Sequence, residues 1–333
     1  MYRMPTLEHS TPLKRIAILT SGGDAPGINA AIRAVVRSAQ ALGVDVFGCV
    51  RGFTGLVNGD LRPLTTASVA NVLHRGGTLL KSDRCESFRD SAVRWQCAEQ
   101  LRDMAMDALV VIGGDGSLRG AQLFGAETGF PVVGIPATID NDIPGSDESI
   151  GFDTAVNTAL DAIDRIRDTA NSHERLFLVE VMGRNSGFIA AQVGIGGGAE
   201  LVLVPERRIQ LDQVCATLEE SRRSGKTSSS IIVVAEGRKP GRTLRLAQAL
   251  EERGYEPQLC ALGHIQRGGN PTGRDRVLAS CLGAMAVTHL GAGCNGVMLG
   301  IQERSVVAVP LSSLGERQQL DASMLDLAAT LQK

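Results

Sequence analysis

The chain has 333 residues, more than one hydrophobic core ordinarily serves, so two α/β units are expected. It is 43% hydrophobic and 21% charged, with 39 glycines and 3% aromatic residues; a formal net charge of −2 gives no reason to bind a polyanion such as DNA or an acidic membrane surface. No apolar run reaches the ~18 residues of a membrane span, Met1–Leu13 is too polar for a secretory signal, and seven cysteines without a CxxC pair fit reduced cytosolic thiols better than disulfides or zinc.

Ile16–Thr20 reads as a short strand running into Ser21-Gly22-Gly23-Asp24-Ala25-Pro26-Gly27, then a helix over Ile28–Leu42. Strand, glycine turn and helix aim backbone N–H groups and a helix N-terminus at an anion. The turn is neither G-x-G-x-x-G nor a P-loop. It is a plain βα turn or a phosphate contact, and Gly22 and Gly23 favour the second by removing side chains where a ligand would approach. Val44–Val50 is a second strand, Arg51–Gly55 a loop and Ser68–Leu73 a helix. Lys81-Ser82-Asp83-Arg84 is a polar loop whose cation could face a polyphosphate or solvent. A helix over Ala92–Met104 leads to Ala108–Ile112, a buried strand that ends in Gly113-Gly114-Asp115-Gly116-Ser117 and continues as a helix through Phe124. One carboxylate there suffices for a Mg²⁺ that substrate phosphates also hold, and Gly116 leaves room for a nucleotide tail.

Phe130–Ile135 is the next buried strand and delivers Pro136-Ala137-Thr138-Ile139-Asp140-Asn141-Asp142. Taken alone, Asp and Asn so placed would make an Asx turn or a helix cap. Three glycine or Asp turns at the carboxyl ends of three parallel strands, however, mark the edge where open α/β sheets collect ligands. The combination points to phosphoryl transfer, in which positioning and charge neutralisation outweigh covalent catalysis. Asp140 would accept the acceptor hydroxyl's proton, and Thr138 with arginines would hold the moving phosphoryl group.

Ser149–Asp168 reads as a long helix with Ile150, Val156, Leu160, Ile163 and Ile166 on an apolar stripe. Strands follow at Leu176–Val181, ending in Met182-Gly183-Arg184-Asn185-Ser186-Gly187, at Leu201–Val204, and at Ser230–Ala235, ending in Glu236-Gly237. A last one, Leu259–Gly263, precedes His264-Ile265-Gln266-Arg267-Gly268-Gly269. His264 and Arg267 suit a monophosphate clamp, because a guanidinium matches phosphate geometry. Arg175 and Arg184 admit the same reading or face solvent. A helix over Thr272–Leu290 and a strand at Val297–Ile301 return the chain to the first sheet. The C-terminal helix is expected to pack through Leu320, Met324, Leu327 and Leu331.

LTSGGDAPGINAAIR, VVIGGDGS, PATIDNDI, EVMGRNSGFIA and LGHIQRGGNP stand in the order and spacing of bacterial-type 6-phosphofructokinases, and the chain resembles that family from about Arg15 to Ile301. The resemblance implies an α/β fold: two similar three-layer α/β/α domains with mainly parallel sheets and the active site in the cleft between them. Residues 1–150 plus 266–315 would form a larger nucleotide-binding domain, and 151–265 plus 316–333 a smaller sugar-phosphate-binding one. It further implies a cytoplasmic glycolytic kinase that uses Mg²⁺ and ATP to phosphorylate the 1-hydroxyl of fructose 6-phosphate, assembled as a homotetramer. In that comparison Asp140 matches the catalytic base, Asp142 a second essential carboxylate and Asp115 the Mg²⁺ partner. Gly23, Arg84, Gly116 and Ser117 match nucleotide-phosphate contacts, and Cys85 stands near the adenine where the family has an aromatic residue. Thr138 and Arg184 match groups that stabilise the transferred phosphoryl. Met182, Gly183, Glu236, His264 and Arg267 match the sugar-phosphate site, and Arg175 a residue lent to it by a neighbouring subunit.

Pyrophosphate-using relatives carry Asp where Gly116 stands and Lys where Ala137 stands, so ATP is the expected donor. Gln258 occupies the place of a second subunit-crossing arginine, which predicts weaker or differently held fructose 6-phosphate. At the effector site Arg33, Arg37, Arg167, Gly198 and Glu200 match. Thr66 replaces an arginine there, and Thr227 and Ser228 fall where lysines are expected, so the usual ADP activation and phosphoenolpyruvate inhibition are not expected to carry over unchanged. The rival readings are a pyrophosphate-dependent kinase, a silent regulatory subunit and a dehydrogenase. Intact Asp140, Asp142 and Asp115 speak against the second, and the missing G-x-G-x-x-G fingerprint against the third.

Overall fold

A computed structural model describes residues 2–8, 10–173, 175–223 and 230–331. Its elements run β1 (Arg15–Ser21), α1 (Ile28–Ala41), β2 (Asp45–Cys49), α2 (Gly52–Asn58), β3 (Leu61–Leu64), α3 (Ser91–Asp103), β4 (Ala108–Gly113), α4 (Asp115–Thr128) and β5 (Val132–Pro136). Then follow α5 (Phe152–His173), β6 (Leu176–Val181), α6 (Phe188–Gly196), β7 (Leu201–Leu203), α7 (Leu211–Arg223), β8 (Ser230–Ala235), α8 (Arg242–Glu251) and β9 (Pro257–Ala261). The chain closes with α9 (Gly273–Gly291), β10 (Val297–Gln302), β11 (Ser305–Pro310) and α10 (Ala322–Leu331). It divides into two compact units: Met1–Thr138 with Ile143–Asp153 and Arg267–Arg317, and Ile139–Asp142 with Thr154–Gln266 and Gln318–Lys333. The short segment that carries Asp140 therefore goes with the second unit rather than with residues 1–150.

The first unit holds a seven-stranded sheet in the order β11-β10-β5-β4-β1-β2-β3. Its two edge strands run antiparallel to their neighbours and the inner pairs are parallel. Apolar side chains on both faces of β1 are fully buried, Ile16 and Ile18 on one and Ala17 and Leu19 on the other. A parallel sheet needs that, because helices cover both its faces. Ala17, Leu19, Leu109 and Val111 belong to one core with Phe53, Leu56, Leu101 and Phe124 from α2, α3 and α4. On α1 and α9 small residues permit a close helix contact: a Cβ at Gly283 would fall 2.6 Å from the Ala31 carbonyl oxygen. The second unit holds the four-stranded sheet β7-β8-β6-β9, parallel throughout. Leu178, Leu203, Ile232 and Val234 pack there with Val214 and Leu218 of α7 and Ala247 and Leu250 of α8. Among the described residues no helix is long and apolar enough to cross a membrane.

Several local expectations are corrected. Arg51–Gly55 is not a loop: Arg51 and Gly52, both at positive φ, turn the chain straight into α2. Ser68–Leu73 is a run of turns, with Asn71 at φ 53, instead of a helix. The short edge strands β3 and β11 and helices α6, α7 and α8 are elements the hydrophobic pattern had not marked. In α10 the packing face is Leu325 and Ala328, while Leu327 and Leu331 are 44% and 63% exposed. Two apolar stripes compete on that helix, and the contact with α6 and β7 selects one.

One buried polar device holds the first unit's core. Arg94, 4% exposed, grips Glu127 through Nε to Oε2 at 2.6 Å and Nη2 to Oε1 at 2.7 Å, and its Nη1 donates to the Phe88 carbonyl at 2.7 Å. Arg94→Met should cost about 2 kcal/mol, less than the about 3–5 kcal/mol of a fully buried pair because Glu127 keeps part of its surface in water. Hydrogen bonding to Arg94 holds the Glu127 carboxyl below its ordinary value. A lowered folded-state pKa contributes stability above the unfolded pKa and loses it as pH falls through the folded one. The difference in urea midpoint between parent and variant should therefore be full at pH 7 and shrink once the pH drops below the ordinary carboxylate range.

Candidate active site

Strand register brings the three sequence-marked turns to one edge of the first unit. Ser21 of β1 lies opposite Gly113 of β4, and Gly113 opposite Pro136 of β5. The turns beyond them are in close contact. A Cβ at Gly22 would sit 3.2 Å from Ser117 Oγ, and one at Gly114 would sit 3.7 Å from Thr138 Cβ. Arg267 joins them: a Cβ at Gly23 would meet its Nη1 at 2.7 Å, and the same nitrogen donates to the Asp24 carbonyl at 3.3 Å. A side chain at Gly23 would therefore push the Arg267 guanidinium out of this position. Ser82 Oγ donates to the Gly22 carbonyl and Thr20 Oγ1 to the Lys81 carbonyl, each at 2.8 Å, so the loop bearing Arg84 is tied to the same turn. Arg84 is exposed and Cys85 half-buried, with Cys85 Sγ 3.3 Å from Ser87 Oγ. Gly23, Ser117, Thr138 and Arg267 are brought together, with Asp115 and Gly116 in the same turn.

Asp115 opens α4 and carries two cations at its carboxylate: Arg119 Nε at 3.0 Å and Arg317 Nη2 at 3.9 Å. No group of three or more His, Cys, Asp or Glu that could hold a metal occurs among the described residues. The single carboxylate at this turn, Asp115, fits Mg²⁺ bound through substrate phosphates, which needs only one or two protein carboxylates beside waters and phosphate oxygens. The space fits too, since a Cβ at Gly116 would meet nothing within 4 Å.

In the second unit, Met182–Gly187 leaves the carboxyl end of β6. Gly183 sits at φ 136, a region closed to side chains, and Arg184 follows in the left-handed region at φ 54. The Ser186 amide closes the turn on the Gly183 carbonyl at 2.8 Å. Three side chains from the ends of other strands then take up its amides. Gln266 Oε1 accepts from Met182 at 2.8 Å, Glu236 Oε1 from Arg184 at 3.1 Å and Glu206 Oε1 from Gly187 at 2.8 Å. Ser186 Oγ donates to the Asp140 carbonyl at 2.8 Å, so the segment carrying Asp140 is fastened to this loop. Between Asp140 and Asp142 the chain turns at Asn141, whose φ of 51 is a conformation asparagine tolerates. Asp142 is buried and its carbonyl accepts from the Gln318 amide at 3.0 Å.

Other site candidates are dispersed. His264 is exposed on the 3₁₀ turn Gly263–Arg267. Arg175 is exposed just before β6, at the strand end opposite Met182, so within its own chain it does not join that loop. Gln258 is exposed on edge strand β9, paired with Phe177 beside the same strand end. Arg167 Nη2 donates to the carbonyls of Gly197 and Gly198, and Glu200 accepts from the Ile231 amide. Burial raises the Glu200 carboxyl's pKa, against the pull of the Ile231 hydrogen bond and of Arg167. Arg33 and Arg37, one turn apart on α1, and Thr66 belong to the first unit. Thr227 and Ser228 lie outside the described residues. Gln266, Ser186 and Glu206 were missed from sequence, although each lies in or beside a marked strand end. A polar residue there carries no sign of whether it points to ligand, solvent or backbone.

Mainly parallel sheets with glycine and carboxylate turns at their strand ends are the arrangement of a phosphoryl-transfer enzyme of the open α/β type. The phosphofructokinase family model matches residues 15–290, and the chain belongs to that family. It is 52% identical over 321 residues to ATP-dependent 6-phosphofructokinase 1 of Thermus thermophilus, covering 96% of this chain and 99% of that one. With the ATP-dependent 6-phosphofructokinase of Coxiella burnetii it shares 52% over 302 residues, 90% of this chain and 92% of that one. Among solved structures, phosphofructokinase from Saccharomyces cerevisiae superposes with a TM-score of 0.84 at 34% identity over 95% of this chain, which spans 46% of the yeast chain. The pyrophosphate-dependent phosphofructokinase of Marinobacter aquaeolei shares the fold at 22% identity, with a TM-score of 0.81, covering 93% of this chain and 86% of that one.

Proposed function

We propose that the chain is an ATP-dependent 6-phosphofructokinase in which Asp140 takes the proton of the 1-hydroxyl of fructose 6-phosphate as that oxygen attacks the γ-phosphorus of ATP. The new O–P bond forms as the bond from the γ-phosphorus to its bridging oxygen breaks. ADP leaves with that electron pair, and fructose 1,6-bisphosphate is the product. The observation that carries this reading is a covalent one: Thr138 ends the first unit beside the Asp115 turn, and a single residue, Ile139, separates it from Asp140. A base cannot stray far from a phosphoryl-holding hydroxyl two residues away.

Gly23, Arg84, Cys85, Gly116 and Ser117 hold the nucleotide, and Asp115 is the protein ligand of Mg²⁺. Held there, Mg²⁺ would supply positive charge against the nucleotide's phosphates. Thr138 and Arg184 steady the charge that develops on the transferred group, and Asp142 is the second carboxylate of the base segment. Met182, Gly183, Glu236, His264 and Arg267 hold the sugar phosphate. Arg175, just before β6, serves the site of a neighbouring copy in a homotetramer like that of the bacterial-type family, and Gln258, on β9, leaves that shared site one cation short. Arg33, Arg37, Arg167, Gly198 and Glu200 are retained for an effector. Seven free cysteines suit the reducing cytoplasm.

A coupled assay with fructose 6-phosphate and a panel of ATP, GTP, ADP and pyrophosphate tests the reading. Fructose 1,6-bisphosphate formed from ATP and Mg²⁺ is the expected outcome. Turnover with pyrophosphate alone would overturn the donor assignment, and none with any donor would leave a regulatory subunit.

A further inference from the structure

We propose that Gln266 is a positioning residue for the sugar-phosphate site, locking together the segments that carry its contacts without touching the substrate itself. The proposal rests on the reading of Met182, Gly183 and His264 as sugar-phosphate contacts. Gln266 is 0% exposed, although it sits in a turn whose neighbours His264 and Ile265 are exposed. Its amide is used at both ends. Oε1 accepts from the Met182 amide at 2.8 Å, and Nε2 donates to the Ala155 carbonyl at 3.3 Å.

The Met182 amide needs such a partner. The β6–β9 ladder ends at the pair Glu180–Ala261, and the β6–β8 ladder at Val181–Ala235. The next amides turn inward, Leu262 donating to the Glu180 carbonyl and Glu236 to the Val181 carbonyl. Met182 is the first residue past both ladders, where a buried N–H must find an acceptor or cost a lost hydrogen bond. The side chain that supplies it comes from the same turn as His264. Thus the exit of β6, the turn after β9 and the start of α5 are held by one planar amide. Glutamine combines an acceptor and a donor at that reach whatever the pH: an ionised carboxylate has no proton for Ala155, and a thioether satisfies neither partner well.

Gln266→Glu separates positioning from mere support. At pH 8 the ionised carboxylate would face the Ala155 carbonyl, and the KM for fructose 6-phosphate should rise about tenfold, the worth of about one buried hydrogen bond. The KM for ATP should stay within about twofold, because the groups bonded to Gln266 all lie in the second unit. Burial next to a carbonyl raises a carboxyl pKa. As the pH falls toward 6, the protonated acid again donates to Ala155 and accepts from Met182, so the variant-to-parent ratio of KM should fall back. Gln266→Met should raise the same KM at every pH without that recovery. A Gln266→Glu enzyme with parental KM at pH 8, or with both KM values raised equally, overturns the proposal. If neither variant folds or turns over, amide exchange on the parent decides: protection of Met182 matching that of Val181 is expected, and exchange at the rate of an open loop overturns it. A parent inactive on fructose 6-phosphate would instead sink the functional reading, leaving the exchange result to judge Gln266.

Discussion

Asp140→Asn should lower kcat for fructose 6-phosphate phosphorylation by about 10³-fold, within the range a positioned general base supplies. Asparagine keeps the shape of the side chain, and the Ser186 hydroxyl bonds the backbone carbonyl of residue 140, which the substitution leaves in place. The segment should therefore hold its course, and KM for both substrates should change much less than kcat. What is lost is the acceptor for the hydroxyl proton at the moment the oxygen attacks. Steady-state kinetics at saturating substrates, alongside thermal melting to confirm an intact fold, measure this. A kcat within about tenfold of the parent would remove Asp140 from the role of base.

Gly116→Asp should raise the KM for ATP by about 10²- to 10³-fold while leaving the protein folded. Space decides the second half of that expectation: nothing lies within 4 Å of a Cβ at this position, and the residue stands in the first turn of α4. A carboxylate at a helix N-terminus is, if anything, favourable for the helix. The penalty falls on the ligand. Two unit charges about 4 Å apart repel by about 4 kcal/mol at the effective dielectric of a partly exposed site, before screening by Mg²⁺ or salt. ATP titrations of parent and variant, read with their melting temperatures, separate the two effects. An unchanged KM for ATP would place the nucleotide tail elsewhere.

The strands and turns that bear the chemistry were legible because they are local patterns. Ala108–Gly113 is continuously apolar and is followed at once by two glycines and an aspartate, and no tertiary contact is needed to read a buried strand running into an open turn. The same holds for β1 with Gly22 and Gly23, and for β6 with Gly183. Elements whose form depends on a neighbour were not legible. Ser68–Leu73 has the composition of a helix but breaks into turns at Asn71, and α10 has two apolar stripes of which the contact with α6 and β7 buries one.

Among the site residues, the identities of the acid, the hydroxyl and the phosphate-binding glycines belong to the amino-acid sequence by itself, since charge, proton acceptance and freedom from a Cβ are properties of single residues. Their convergence does not. Ser21, Gly113 and Pro136 lie side by side only through strand register, and Arg267 reaches Gly23 across more than two hundred residues of chain. Gln266, Glu206 and Ser186 emerged only in three dimensions, because what a polar side chain does is set by which unpaired backbone group the fold places within about 3 Å of it.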